Sequence, residues 1–317
     1  MAAPAISPRG ATGSPTLGQR IYQKLSDVPA WALWILVLVW TIPSLGLFVN
    51  SFRGRDAQRN DAFWNIISEQ DATFENYRSV LSAGATNDLT DSLITSFAIA
   101  VPATIIPIAF AAFAAYAFAW IDFKGREWFF IATIALLAIP LQVALIPLLQ
   151  LYNGGAAFSV PFTDKTLTML PFFDLSGSAE AVWLTHTGFA MPFSIFLLHN
   201  YISQLPREIF ESARIDGADH FTTFWRLVVP LSIPALASFA IFQFLWTWND
   251  YLIANTMLDA SSSLPTTVRI ANLAGDFDNT DHLLTAAAFI QAFVPLTVFF
   301  GLQRYFVRGL LAGSVKG

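Results

Sequence analysis

The sequence predicts an all-α integral membrane protein, with six transmembrane helices and a polar helix–bend–helix loop between the fourth and fifth. Three observations carry this. Of 317 residues, 55% are hydrophobic and only 12% charged, whereas soluble domains carry about 25% charged residues. Thirty Phe and ten Trp point the same way, because aromatic side chains fill membrane interiors and anchor at their surfaces. The apolar residues also gather into runs about long enough to cross a ~30 Å hydrocarbon core.

The runs fall at about 31–49, 92–120, 128–151, 181–203, 232–254 and 283–305, making one membrane domain over 31–307 between tails at 1–30 and 308–317. The first run is too long, begins too late and lacks the small-residue cleavage pattern of a signal peptide, so it is expected to be a retained anchor. The second is dense in Ala, which lets helices approach closely where lipid offers no hydrophobic drive, and Pro102 and Pro107 are candidate kinks. Pro140 and Pro147 lie inside the third and carry no assigned function. Between the first two runs lies a polar segment, and 152–180 reads as a loop with Gly154, Gly155, Pro161, Pro171 and Gly177.

The chain is organised around 206–234. Pro206 suits the first turn of a helix. Ile209, Phe210 and Ala213 share one stripe, while Arg207, Glu208, Glu211 and Arg214 face elsewhere. Arg207–Glu211 and Glu211–Arg214 have the spacings at which helix-surface charges meet. Gly217 suits a left-handed helix end, and Asp219 suits the cap of a second short helix through Phe221, Phe224 and Trp225. Pro230 and Pro234 are expected to punctuate the start of the fifth span. A solvated amphipathic loop would share this pattern; a rigid elbow held by spans on both sides would also serve as a docking knob.

Orientation follows from positive charge. With the elbow cytoplasmic, eleven of seventeen basic residues fall inside: Arg9, Arg20, Lys24, Lys124, Arg126, Arg207, Arg214, Arg226, Arg304, Arg308 and Lys316. Both termini are then cytoplasmic.

Several chemistries are excluded. There is no cysteine, hence no disulfide or thiolate site. No G-x-x-x-x-G-K-[ST] occurs, so the chain has no phosphate-cradling loop of that kind and is not expected to hydrolyse ATP. The four His suggest no metal site, and His186 and His199 read as packing residues. The span centres lack the ionisable residues that ion-coupled carriers place there. Asp250 is expected near the outer surface, in reach of water.

Glu211-Ser212-Ala213, Gly217 four residues after Ala213, and then Leu227, Val229 and Pro230 resemble the EAA loop of importer permeases in the ATP-binding-cassette superfamily. That pattern is Glu-Ala-Ala, three residues, Gly, nine residues, Ile, one residue, Leu-Pro. Both gaps match, and Ser212, Leu227 and Val229 are small departures. The resemblance implies the type I importer permease fold, with 206–230 as coupling loop and Glu211, Ser212, Ala213, Asp216, Gly217, Leu227, Val229 and Pro230 as its ATPase-coupling residues. It implies no cofactor on this chain, with ATP and Mg held by a partner, an ATP-binding-cassette ATPase dimer. It further implies a second permease subunit in a heterodimer, an extracytoplasmic sugar-binding protein, no role for nucleic acid, and location in the bacterial cytoplasmic membrane.

The stretches 166–171, Trp246-x-Trp248-Asn249 and 309–317 look like maltose-type carbohydrate permeases, most similar to those for α-glucosides. Trp246, Trp248, Asn249 and Asp250 could offer ring faces and hydrogen bonds to a sugar; an interfacial aromatic belt is the competing explanation for the same residues. Against the importer stand an ion-coupled secondary carrier and a non-transporting membrane scaffold.

Overall fold

The computed structural model describes residues 29–69, 71–82, 88–159, 166–170, 174–259, 262–275 and 277–314; most of the N-terminal tail, Pro171 and residues 315–317 lie outside these. Five helices are long and apolar enough to cross a membrane: Ala30–Ser51, Leu89–Trp120, Ala179–Ile202, His220–Trp248 and the His282–Gln303 part of Phe277–Ser314. The sixth expected span is a bent pair, Arg126–Ala138 followed by Leu141–Gly154 at 101°.

That bend divides the third span expected over 128–151 into two helices. Pro140 sits at the break with φ −63° and ψ 130°, and Ile139 before it is extended at φ −79°, ψ 114°. A proline ring clashes with a helical preceding residue, so the helix stops there. Pro102 and Pro107 have no comparable effect, and the second span runs unbroken through both.

The second and fourth spans form the most extensive helix pair. Their seam is lined by small residues, among them Ala111, Ala112, Ala115 and Ala190, all buried, which brings the backbones close. The fifth span crosses the same face, and Gln243 Nε2 donates to Ala103 O at 3.1 Å. A buried side-chain amide thereby finds a partner where no water is available. The first span, by contrast, buries only Gly46 and Ser51.

Two connections depart from the expected loops. Residues 152–180 contain an antiparallel hairpin, Ala156–Ser159 with Thr166–Leu170; with the isolated Arg53–Ala72 bridge it is the β pairing among the described residues of an otherwise helical architecture. The segment after the first span folds into short helices, Arg55–Asn60, Ile66–Glu69 and Glu75–Leu81, with a 3₁₀ turn at Phe63–Asn65. The final helix continues to Ser314, so the expected tail is helical over 308–314.

Candidate coupling site

The elbow begins at Pro206, which is the N-cap with φ −59° and ψ 130° rather than the first helical residue. Helix Arg207–Ile215 follows and Asp216 is its C-cap. Gly217 has φ +76°, donates its N–H to Arg214 O at 3.0 Å, and lets Ala218 N–H reach Ala213 O at 2.9 Å. These two bonds are the Schellman pair that closes a helix through a left-handed residue. A Cβ on Gly217 would meet nothing within 4 Å, so glycine is required by backbone conformation and not by space.

Asp219 starts the second arm, its carboxylate accepting from Thr222 N–H at 2.7 Å. The Thr222 hydroxyl and N–H hold the Asp219 carboxyl below its ordinary range. The arm His220–Thr223 then passes through a π turn, Phe224–Val228, directly into Val229–Trp248. Pro230 and Pro234 therefore do not separate a second short helix from the fifth span; the arm is the base of that span. A π turn re-routes carbonyls beside Pro230, whose missing N–H would otherwise leave one unpaired.

The elbow is seated on the second span by aromatic contacts. Phe210 is buried and stacks on Trp120 at 3.8 Å, 20° between planes. Trp120 Nε1 in turn donates to Ile202 O at 3.0 Å. On the other arm, Phe224 stacks on Phe113 at 4.2 Å, and Tyr116 Oη lies 3.0 Å from His220 Nδ1. Such aromatic pairs contribute about 0.5–1.5 kcal/mol each beyond the area they bury. Phe210, Phe224 and Val228 belong to one core cluster with Ala115, Leu198 and Ala235, so the elbow is continuous with three spans.

The expected docking residues divide. Glu211, Ser212, Asp216 and Gly217 are exposed on the outer side of the first arm, and Ala213 is half-buried. The pairs expected of Glu211 with Arg207 and Arg214 are not closed: no ion pair among the described residues involves them. Leu227, Val229 and Pro230 lie further on, in the π turn and the first turn of the fifth span, with Val228 between them as the buried residue. Sequence reasoning missed the seat (Phe113, Tyr116, Trp120) and the exposed apolar Ile215; Phe221, expected on the second arm, is exposed there as well. No local pattern names the partner of an aromatic at a span end.

At the far end of the fifth span, Trp246, Trp248, Asn249 and Asp250 do not share one surface. Trp248 is 2% exposed, stacks on Phe244 and donates to Gln291 O at 3.1 Å; Trp246 is 65% exposed. The helix ends at Trp248, six residues before the expected boundary at 254. Asn249 Nδ2 turns back onto Leu245 O at 2.8 Å, and the Asp250 carboxylate accepts from Ile253 and Ala254 N–H. This Asn–Asp pair ends one helix and caps the next, Leu252–Met257. Asp250, expected near the outer surface in reach of water, has a side chain 12% exposed, and its Oδ2 is 3.5 Å from Nε2 of the buried His186.

A chain of spans carrying a rigid, outward-charged elbow on one face is a membrane-embedded transport component. The chain belongs to the family of inner membrane components of binding-protein-dependent transport systems, whose pattern it matches over residues 108–311. It is 45% identical to an osmoprotective compounds uptake permease protein of Synechocystis sp., over 90% of both chains. It is 49% identical to an alpha-glucoside transport system permease protein of Rhizobium meliloti, over 87% of this chain and 70% of that one. Its fold matches a solved bacterial ABC transporter that imports alginate, with TM-score 0.66, 19% identity, and coverage of 93% of this chain and 100% of the other.

Proposed function

We propose that the chain is the permease subunit of an ATP-driven importer that receives a carbohydrate of the α-glucoside class from an extracytoplasmic binding protein. The observation that carries this is the elbow: a first arm with unpaired charges outward, bent at Gly217, and a second arm continuous with the fifth span. A separate ATPase gripping the first arm would move the fifth span with no flexible joint to absorb the motion. Glu211, Asp216 and the exposed Ile215 offer it charge and apolar surface; ATP and Mg stay on that partner. One elbow meets one ATPase subunit, so a pair of ATPases calls for a second, related permease. The α-glucoside assignment rests on the Rhizobium relative, and a solved alginate transporter bound to its oligosaccharide-loaded periplasmic protein shares the fold at TM-score 0.62.

For the solute path, Trp246 and Asn249 supply the accessible ring and amide, with Trp248 and Asp250 bracing them from behind. Both termini and the elbow are cytoplasmic. A reporter active only outside the cytoplasm is expected to be active within 60–71 and silent after Lys316; the reverse pattern overturns the orientation. Uptake of a labelled α-glucoside should require the ATPase, the second permease and the binding protein together. Uptake by this chain alone, driven by an ion gradient, would overturn the importer assignment.

A further inference from the structure

We infer that His186 of the fourth span is the positioning residue of the helix break at Asn249–Tyr251, holding the Asp250 carboxylate across a cavity the size of one water. Its effect on uptake rests on the solute path proposed above, in which Trp246 and Asn249, just before the break, meet the sugar.

The break is a joint between several elements. The fifth span ends at Trp248, and helix Leu252–Met257 starts after Tyr251. Asp250 lies between them, and its backbone carbonyl accepts from Thr267 Oγ1 at 2.6 Å. The neighbouring Thr266 N–H donates to Ser96 Oγ at 2.9 Å, which ties helix Thr266–Gly275 to the second span. The Trp120 end of that span stacks on the elbow's Phe210, whereas its Leu89 end packs with Val80. The joint, near the Leu89 end, is therefore on the face opposite the elbow. From the fourth span, Ala181 and Val182 share one apolar cluster with Ile253, Ala254 and Met257.

Apolar packing is non-directional, so it presses the short helix onto the fourth span without fixing its angle. His186, one turn after Val182 on the same face, supplies a directional group. It is 2% exposed, and its Nε2 has no hydrogen-bond partner among the described residues; burying a polar atom in that way is costly. Asp250 Oδ2 is 3.5 Å from it, beyond the direct N–H···O distance of about 2.9 Å. Both residues line a cavity of ≈ 10 Å³ together with Ser96, Thr247 and Thr267, which is about the room one water needs. A water there gives Nε2 its partner and carries the contact to the carboxylate. That carboxylate also accepts from Ile253 N–H at 3.3 Å and Ala254 N–H at 3.1 Å. Whatever holds it sets where the fifth span stops and the next helix starts.

The chain has no cysteine, so a nitroxide on Tyr251→Cys reports the break. The labelled chain is assembled with its transport partners in lipid vesicles and compared at one pH, with labelling of the assembly lacking this substitution subtracted. His186→Leu is expected to mobilise the label and lower α-glucoside uptake while ATPase recovery stays unchanged. His186→Gln, whose amide reaches about as far as Nε2 and both donates and accepts, should restore both. His186→Asn, which stops short, should restore neither, and it carries the comparison alone if His186→Leu does not assemble. Because His186 acts through Asp250, adding His186→Leu to Asp250→Ala should loosen the label no further. An unmoved label in the Leu and Asn variants, a loosening that Gln leaves unrepaired, or full additivity with Asp250→Ala would each overturn the role. A mobilised label with uptake intact keeps the role and overturns the solute path instead.

Discussion

The two faces of this membrane domain are braced by different physics. On the elbow face, short helices are held by stacked rings, Phe210 on Trp120 and Phe224 on Phe113, while the charged residues project outward. On the opposite face, residues 53–82 are held by a buried polar hub. Arg53 binds Asp71 and Ala62 O, Gln58 Nε2 donates to Asn50 O at 2.8 Å, and buried Asn76 donates to Ser51 O and Arg53 O. Ring stacking tolerates rigid-body displacement, because its energy changes slowly as rings slide. A buried guanidinium with several fixed acceptors does not, since losing any partner leaves a desolvated charge. An elbow that must move and an outer brace that must hold would be built in these two ways.

The contrast is sharpest where each brace is cut. Arg53→Ala should have the largest effect, since breaking a buried ion pair costs about 3–5 kcal/mol and the outer segment loses its hub. The expected result is a lower unfolding temperature of the purified permease; an unchanged one would show the hub to be dispensable. Phe210→Leu keeps the apolar contact but removes the stack, at about 1 kcal/mol. It should leave thermal stability nearly intact while lowering the amount of ATPase recovered with the membrane complex. Asp219→Ala removes the cap of the second arm and should weaken ATPase recovery less, with Asp219→Asn restoring it because Asn also caps. The Asp219 carboxyl is held below its usual range, so its charged form favours the folded elbow. That contribution is lost only as pH falls through the depressed value, and uptake should show no dependence on this group between pH 6 and 8, values well above the carboxylate range of about 4.

The same contrast decides what could be read from the chain. The elbow was legible because its signals are local: Gly217 demands a left-handed backbone, Asp219 caps within three residues, and Phe210 lies on a helical stripe. The bent third span was missed although Pro140 was in view, because a proline inside an apolar run is compatible with a kink, a break or neither. The expected fifth span runs six residues too far because Tyr251, Leu252, Ile253 and Ala254 extend its apolar run, and only the turned-back Asn249 and the capping Asp250 end it. The hub at Arg53 had no local signature, its partners lying 8 to 18 residues away in sequence. His186, expected to be a packing residue, is buried in the fourth span, and Asp250, just past the end of the fifth, brings its Oδ2 to 3.5 Å from Nε2, a neighbour no local pattern names.

The central claim is that the bend at Gly217 carries force from the ATPase to the fifth span. Gly217→Val tests it most directly, because the site has open space around it and the only penalty is a left-handed backbone, roughly 1–2 kcal/mol for a β-branched residue. The matched control on the opposite face is Gly54→Ala, at an ordinary φ of −64° with nothing within 4 Å. Both variants are measured for membrane insertion, ATPase co-purification and sugar uptake. Normal insertion in both, with ATPase recovery and uptake lost only in Gly217→Val, is the predicted result. Full uptake with wild-type ATPase recovery in Gly217→Val would contradict it.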